Sequence, residues 1–257
     1  IEAGNRCYDL RVPEEINRKI IDHLADINIT YSQVAKENLI RESISSDKVF
    51  KIGSPLDEVY EYYKDKINSS NILKKLKLQK ESYYLLSVHR EENIENKNNL
   101  KKFENFLNFL DKKTKVKKIV LSTHPRTLKK LKLLNKKKFK KIIFARPFSY
   151  TDYSNLQINS KLVLSDSGSI TEESSILNFK AINLRNTNER QEGMGYGIAP
   201  MAHFDVAKIN YLIKYLLKTK QFGKSVEDYK CKDFSRVFFN ILVSYIDYVK
   251  EYTWKIY

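Results

Sequence analysis

The sequence predicts an α/β fold: a parallel sheet with helices packed on both of its faces. Two observations carry that expectation. From about residue 80 onward, short apolar runs alternate with amphipathic stretches. Unusual polar residues collect directly after those runs, at what would be the carboxyl ends of strands. Apolar strands separated by amphipathic helices build parallel sheets, and such sheets bind ligands beyond their carboxyl edge.

The elements can be justified in order. Pro13 followed by Glu14 and Glu15 reads as a helix start, because proline suits the first turn and acidic groups suit its dipole. Ile16, Ile20, Leu24 and Ile27 follow as one apolar stripe, and His23 reads as a packing residue beside it. "INITYS" is a short strand, and "SQVAKENLIRESI" is a helix expected to turn Val34, Leu39 and Ile40 inward. "KVFKIGSPLDEV" is a strand ending at Gly53, a turn at Pro55 and a further helix. Residues 64–80 read as a linker and entry segment. Strands are then expected at "YYLLSV", "KKIVLST", "KKIIFA", "KLVLSD" and "KAINLR". Helices are expected around 97–110, 126–135, 150–158, 170–178 and 205–219. The ending "FSRVFFNILVSYIDYVKEYTWKIY" is a long aromatic-rich helix, and no internal repeat is visible.

Composition narrows the function classes. A chain of 257 residues is one large domain or two ordinary ones. It carries a formal charge of +16, which suits polyanions and diphosphates. The excess is mostly lysine, in tracts such as "NILKKLKLQK" and "NKKKFKK" that read as solvated helix faces and loops. Arginine is scarce there and no aromatic platform interleaves, so a nucleic-acid partner is not expected. Cys7 and Cys231 show no metal or redox spacing and read as reduced thiols, and the histidines have no zinc spacing. No signal peptide and no apolar run of membrane-spanning length is present, so a cytoplasmic chain without membrane insertion is expected.

Four strand ends gather the polar residues. His89 and Arg90 follow the first strand of the series, and His124 and Arg126 follow the second. Asp166, Ser167, Gly168 and Ser169 follow a later one, and Arg185 with Glu189 and Arg190 follow the last. "SDSGSITEES" is the sharpest stretch: amide groups at a helix start can hold phosphate oxygens, and serine hydroxyls add donors. The same residues also fit an ordinary cap, with Ser169 and Glu172 as a capping box. Glu172 or Glu173 could accept ribose hydroxyls. His89 beside Arg90 could donate to a diphosphate. Glu2, Arg6, Asp9, Arg11, Glu14 and Arg18 crowd the opening residues, where carboxylates around a sugar can act as acid and base and where surface ion pairs are the plain alternative.

The stretches "EAGNRCYDLRVPEEINR", "IGSP", "SVHREEN", "THPR", "LSDSGSITEES" and "LRNTNERQEG" together resemble the non-hydrolysing UDP-N-acetylglucosamine 2-epimerase family. They occur in that family's order and cover most of the chain. "EAGNRCYD", "GSP" and "SYIDYVKEYTWKIY" are most similar to the branch that makes UDP-N-acetyl-L-fucosamine. The resemblance implies two Rossmann-like domains in the glycosyltransferase B arrangement, with a cleft between them and a homodimeric assembly. It implies a first-domain remnant over 1–66, a UDP-binding domain over 67–230 and a returning helix over 231–257. His89 and Ser167 would lie at the diphosphate and Glu173 at the uridine ribose. Arg185, Glu189 and Arg190 would line a strand-end loop, and Glu2, Glu14 and Arg18 would face the sugar. Arg90, His124, Arg126, Gly168 and Ser169 would complete the substrate contacts.

The implied reaction inverts C2 of a UDP-2-acetamido sugar by eliminating and re-adding UDP, without cofactor or metal, for capsule or other envelope polysaccharides. The family's first domain begins well before "EAGNR", so the resemblance also implies that roughly a third is absent. An inactive fragment, or a UDP-sugar-binding module needing a separate N-terminal chain, is the alternative. A glycosyltransferase using the same cleft is opposed by the paired carboxylates at the front. Gln191 and Ser169 depart from the proline and glycine usual at their positions.

Overall fold

The computed structural model describes residues 1–89, 97–123, 136–219, 223 and 225–256. The chain divides into two compact units, one formed by 1–62, 187–196 and 225–257, the other by 63–186 and 197–224. The segment 187–196 thus groups with the first residues, although the continuous span 67–230 would place it in the other domain.

The larger unit holds a five-stranded parallel sheet. Its strands are β3 (Tyr83–Val88), β4 (Lys118–Thr123), β5 (Ile142–Ala145), β6 (Leu162–Ser165) and β7 (Ala181–Asn183), in the order β5-β4-β3-β6-β7. All five expected strands are present. Leu85, Leu86, Val120, Leu121, Val163 and Leu164 are fully buried, as central strands covered on both faces must be. The helix α5 (Lys97–Lys113) lays Phe103, Phe106, Leu107 and Leu110 into this core at helical spacing. The helix α9 (Val206–Lys218) adds Ile209, Ile213 and Leu216, and the side chain of Asp205 caps it by accepting from the Lys208 amide at 3.0 Å. Helix α6 (Tyr150–Asn159) starts at the Ser149 cap, and α7 (Ile170–Leu177) follows β6. The expected helix at 126–135 lies outside the described residues.

The strand order has one functional consequence. The chain steps from β3 outward to β4 and β5, then returns to the other side of β3 as β6 and β7. The order therefore reverses between β3 and β6. In open parallel sheets a reversal of this kind marks where ligands bind, beyond the carboxyl ends of the strands.

The smaller unit contains β1 (Asn28–Thr30) paired in parallel with β2 (Val49–Lys51), with α1 (Pro13–Leu24), α2 (Gln33–Arg41), most of α3 (Pro55–Asn68), the short α8 (Gln191–Gly195) and the terminal α10 (Phe234–Tyr248). Helix α10 widens into a π-helical turn over Val249–Thr253. Gly4 is obligatory: its φ is +80°, and a Cβ there would sit 2.1 Å from the Ala35 carbonyl oxygen.

Four local expectations fail. Residues 64–80 are not a linker, because α3 runs to Asn68 and α4 (Ile72–Lys75) follows; Pro55 is the first residue of α3, where its missing N–H costs nothing. In α2 Leu39 is buried as expected, together with Ala35 and Asn38, but Val34 is only half-buried and Ile40 is exposed. The apolar stripe of α1 is also turned out, with Ile16, Ile20 and Leu24 exposed. The helix packs instead through Glu15 and Asp22. Glu15 accepts from the Cys7 and Tyr8 amides at 3.0 and 3.2 Å, and Asp22 accepts from the Gly4 amide and the Arg6 guanidinium at 3.0 and 2.7 Å. These charged bonds fix which face of α1 is inside. His23, read as packing, is exposed in consequence.

Candidate functional site

In the larger unit the site grows from the ends of β3 and β6. The carboxylate of Asp166, the residue after β6, is fully buried. It accepts from the His89 amide, with Oδ1 at 3.1 Å and Oδ2 at 3.2 Å, and Oδ1 lies 3.0 Å from His89 Nδ1. His89 is the residue after β3, so one buried acid joins the two strands at which the order reverses. The His89 ring remains accessible, its side chain 44% exposed.

Beside this pair, the turn before α7 carries a hydroxyl relay. Ser167 Oγ and Ser169 Oγ are 2.8 Å apart, and Ser169 Oγ donates to Glu173 Oε1 at 2.8 Å. Gln157 of α6 donates its amide N–H to the other Glu173 oxygen. The capping box of Ser169 with Glu172 does not form: Ser169 is helical (φ −72°, ψ −9°), its side chain caps no amide, and Glu172 is buried. The hydroxyl reaches Glu173 one turn on because the helical backbone already at Ser169 points it along α7. Gly168 lies in the same turn, half-buried. Tyr153 of α6 completes the group. Burial, with the charges of Glu173 and Asp166, pushes its phenol up, and a hydrogen bond with Ser87 opposes this, so it stays neutral at physiological pH.

Arg185 follows β7, the neighbour of β6, and is buried; its amide donates to Asn183 Oδ1 at 2.9 Å. His89, Asp166, Ser167, Gly168, Ser169, Glu173 and Arg185 thus share one edge of one sheet. Arg90, His124 and Arg126 lie outside the described residues.

In the smaller unit Glu2 meets the strand-end loop. Glu2 adopts φ +66°, a strained value for a residue with a side chain. Its Oε1 lies 2.7 Å from Arg190 Nη2, and Arg190 Nη1 lies 3.2 Å from Glu189 Oε1. Arg190 and Glu189 are buried while the Glu2 carboxylate is half-exposed. Gln191 donates to the Arg6 carbonyl at 3.3 Å, which anchors the loop. Glu14 is exposed in the first turn of α1, and Arg18 pairs at 2.7 Å with Glu15 rather than with Glu14. Arg6 is structural: fully buried, it forks to Asp22 and Glu42 at 2.7 and 2.6 Å. Burial opposes its charge, but the hydrogen bonds to Glu42 and Asp22 outweigh that and raise its pKa.

Sequence reasoning noted Asp166 as a strand-end residue and missed its bond to His89. It also missed Tyr153 and Gln157, whose only signal is an i, i+4 spacing on α6.

Comparison with known proteins decides the family. Residues 1–242 match the model of the UDP-N-acetylglucosamine 2-epimerase family. The chain belongs to this family. The UDP-N-acetylglucosamine 2-epimerase of Methanocaldococcus jannaschii is 33% identical over 232 residues, which are 88% of this chain and 63% of that enzyme. The chain thus spans less than two thirds of the length of that relative. The solved epimerase of Rickettsia bellii superposes with a TM-score of 0.90 at 44% identity, covering 98% of this chain and 68% of that one. The M. jannaschii epimerase solved with UDP-GlcNAc and UDP superposes with a TM-score of 0.82 at 30% identity, covering 95% and 68%. The α/β fold with its parallel sheet is therefore that of the family; the fucosamine branch is not singled out. No described helix is long and apolar enough to cross a membrane.

Proposed function

We propose that the carboxyl edge of the five-stranded sheet binds the UDP part of a UDP-2-acetamido sugar, in an epimerase acting at C2. The observation that carries the reading is the His89–Asp166 pair bridging β3 and β6 where the strand order reverses. Accessible imidazole, serine hydroxyls and the start of α7 supply donors for a diphosphate. Glu173, already accepting two N–H or O–H donors, is matched to ribose hydroxyls. Arg185, Gly168 and Ser169 belong to the same contact set, and Arg90, His124 and Arg126 extend it. This role falls to the larger unit, which makes up most of the span 67–230.

The chemistry follows from charge. The C2 proton of an amino sugar is weakly acidic. A carboxylate removes it while the C1–O bond breaks, C1 and C2 form a double bond, and UDP leaves with the electron pair. UDP then adds back to C1 while a proton returns to the opposite face of C2. Glu2 and Glu14 are the assigned acid and base, with Arg18 facing the sugar and Glu189 and Arg190 in the strand-end loop near the nucleotide. A positioned acid or base contributes ~10²–10⁴-fold to such a step. His89 acts on the leaving group, whose charge grows as C1–O breaks. The product feeds envelope polysaccharide synthesis by a cytoplasmic homodimer.

Binding of UDP without turnover is the second reading. Calorimetry with UDP tests the first half of the proposal. Incubation with UDP-GlcNAc in deuterium oxide tests the second: C2 deuteration means an epimerase, and binding without exchange means a module that needs a further chain.

A further inference from the structure

We propose that Asp166 is the positioning residue for His89, locking its imidazole as the Nδ1–H tautomer so that Nε2 is the nitrogen offered to the ligand. The inference rests on the diphosphate reading of this site and deepens it. A carboxylate removed from water needs N–H partners. Asp166 takes two from the same residue: the His89 amide at 3.1 and 3.2 Å, and Nδ1 at 3.0 Å. The amide bond fixes the backbone leaving β3, and the ring bond fixes the rotation of the imidazole about its own axis. An acceptor-only carboxylate at Nδ1 requires a hydrogen there. The neutral ring then keeps its lone pair on Nε2, and the protonated ring carries an Nε2–H donor.

The geometry makes the ring directional. The Asp166 side chain is fully buried and the His89 side chain is 44% exposed, so Nδ1 faces the protein interior and the accessible edge is that of Nε2. A flipped ring would set a C–H against the buried carboxylate and leave it short of one donor, which costs free energy. The Glu173 carboxylate is itself an acceptor for Ser169 and Gln157. Asp166 therefore acts through His89, and its share in function is the orientation of one ring nitrogen toward a phosphate oxygen.

The test is a long-range ¹H–¹⁵N correlation spectrum of the full chain labelled at histidine, recorded at a pH where imidazoles are neutral. His89→Gln identifies the His89 signal among the four histidines. The expected pattern is Nδ1–H; an Nε2–H pattern, or the mixture of a free imidazole, overturns the proposal. In Asp166→Ala the pattern should revert to the free mixture, and UDP binding should weaken about tenfold. A folded Asp166→Ala chain that keeps the Nδ1–H pattern also overturns it, and if that variant does not fold, the wild-type spectrum decides alone. UDP titration of the wild-type chain separates the two levels. A locked tautomer with no UDP binding sinks the ligand reading and keeps the pair; UDP binding with a mixed tautomer sinks the pair alone.

Discussion

Arg6 shows how one side chain organises its surroundings. Its guanidinium is enclosed, and both ends of the fork hold carboxylates, Asp22 and Glu42. Removing one partner leaves a buried charge under-compensated, so Asp22→Ala should destabilise the smaller unit by about 3 kcal/mol. Urea unfolding followed by circular dichroism measures this. Glu42 sets the pH dependence. The hydrogen bond from Arg6, against the opposing effect of burial, holds its carboxyl below the usual carboxylate range. A depressed folded pKa stabilises the fold above the unfolded value of about 4.3. That stabilisation is lost as pH falls through the lower folded value. Wild type should therefore exceed Glu42→Gln in stability at pH 6, and the gap should close on acidification. Unfolding midpoints of the two proteins at pH 6 and at acid pH check it; a gap that widens in acid contradicts the assignment. Gly4→Ala adds a third case, because its Cβ has no room beside the Ala35 carbonyl and its φ is +80°. Thermal melting should show a loss of about 2 kcal/mol or more.

Elements were legible in the sequence wherever one signal was unopposed. The strands β3 to β7 are apolar runs bounded by turns, and each is where periodicity placed it. Helix α1 is the instructive failure. Its apolar stripe is clear, yet Glu15 and Asp22 decide which face lies inside, because backbone amides and Arg6 offer them bonds that water cannot match in a dry site. Such a network joins residues up to 36 positions apart and leaves no periodic trace. The orientation makes a prediction. Leu24→Lys, at a position 79% exposed, should change stability by less than about 0.5 kcal/mol. Glu15→Leu, which strands the Cys7 and Tyr8 amides, should cost about 2 kcal/mol. Parallel denaturant melts of the two variants distinguish them, and a reversed ranking would show that the apolar face packs.

For the whole molecule, family and sheet architecture were readable from motifs in order, and the comparisons agree with them over nearly the full chain. The strand-end rule points to the candidate site because a reversal of strand order is a consequence of connectivity. It could not supply the partners of each side chain. Those depend on which loops a parallel sheet brings side by side, as with His89 and Asp166, 77 residues apart. The central claim is that this sheet edge holds the diphosphate of UDP through His89. Titration calorimetry of the chain with UDP, repeated on His89→Ala, tests it most directly. Saturable heat from the wild type, with affinity about tenfold lower in the variant, is the predicted result. No heat at millimolar UDP, or equal affinity in both proteins, would contradict it.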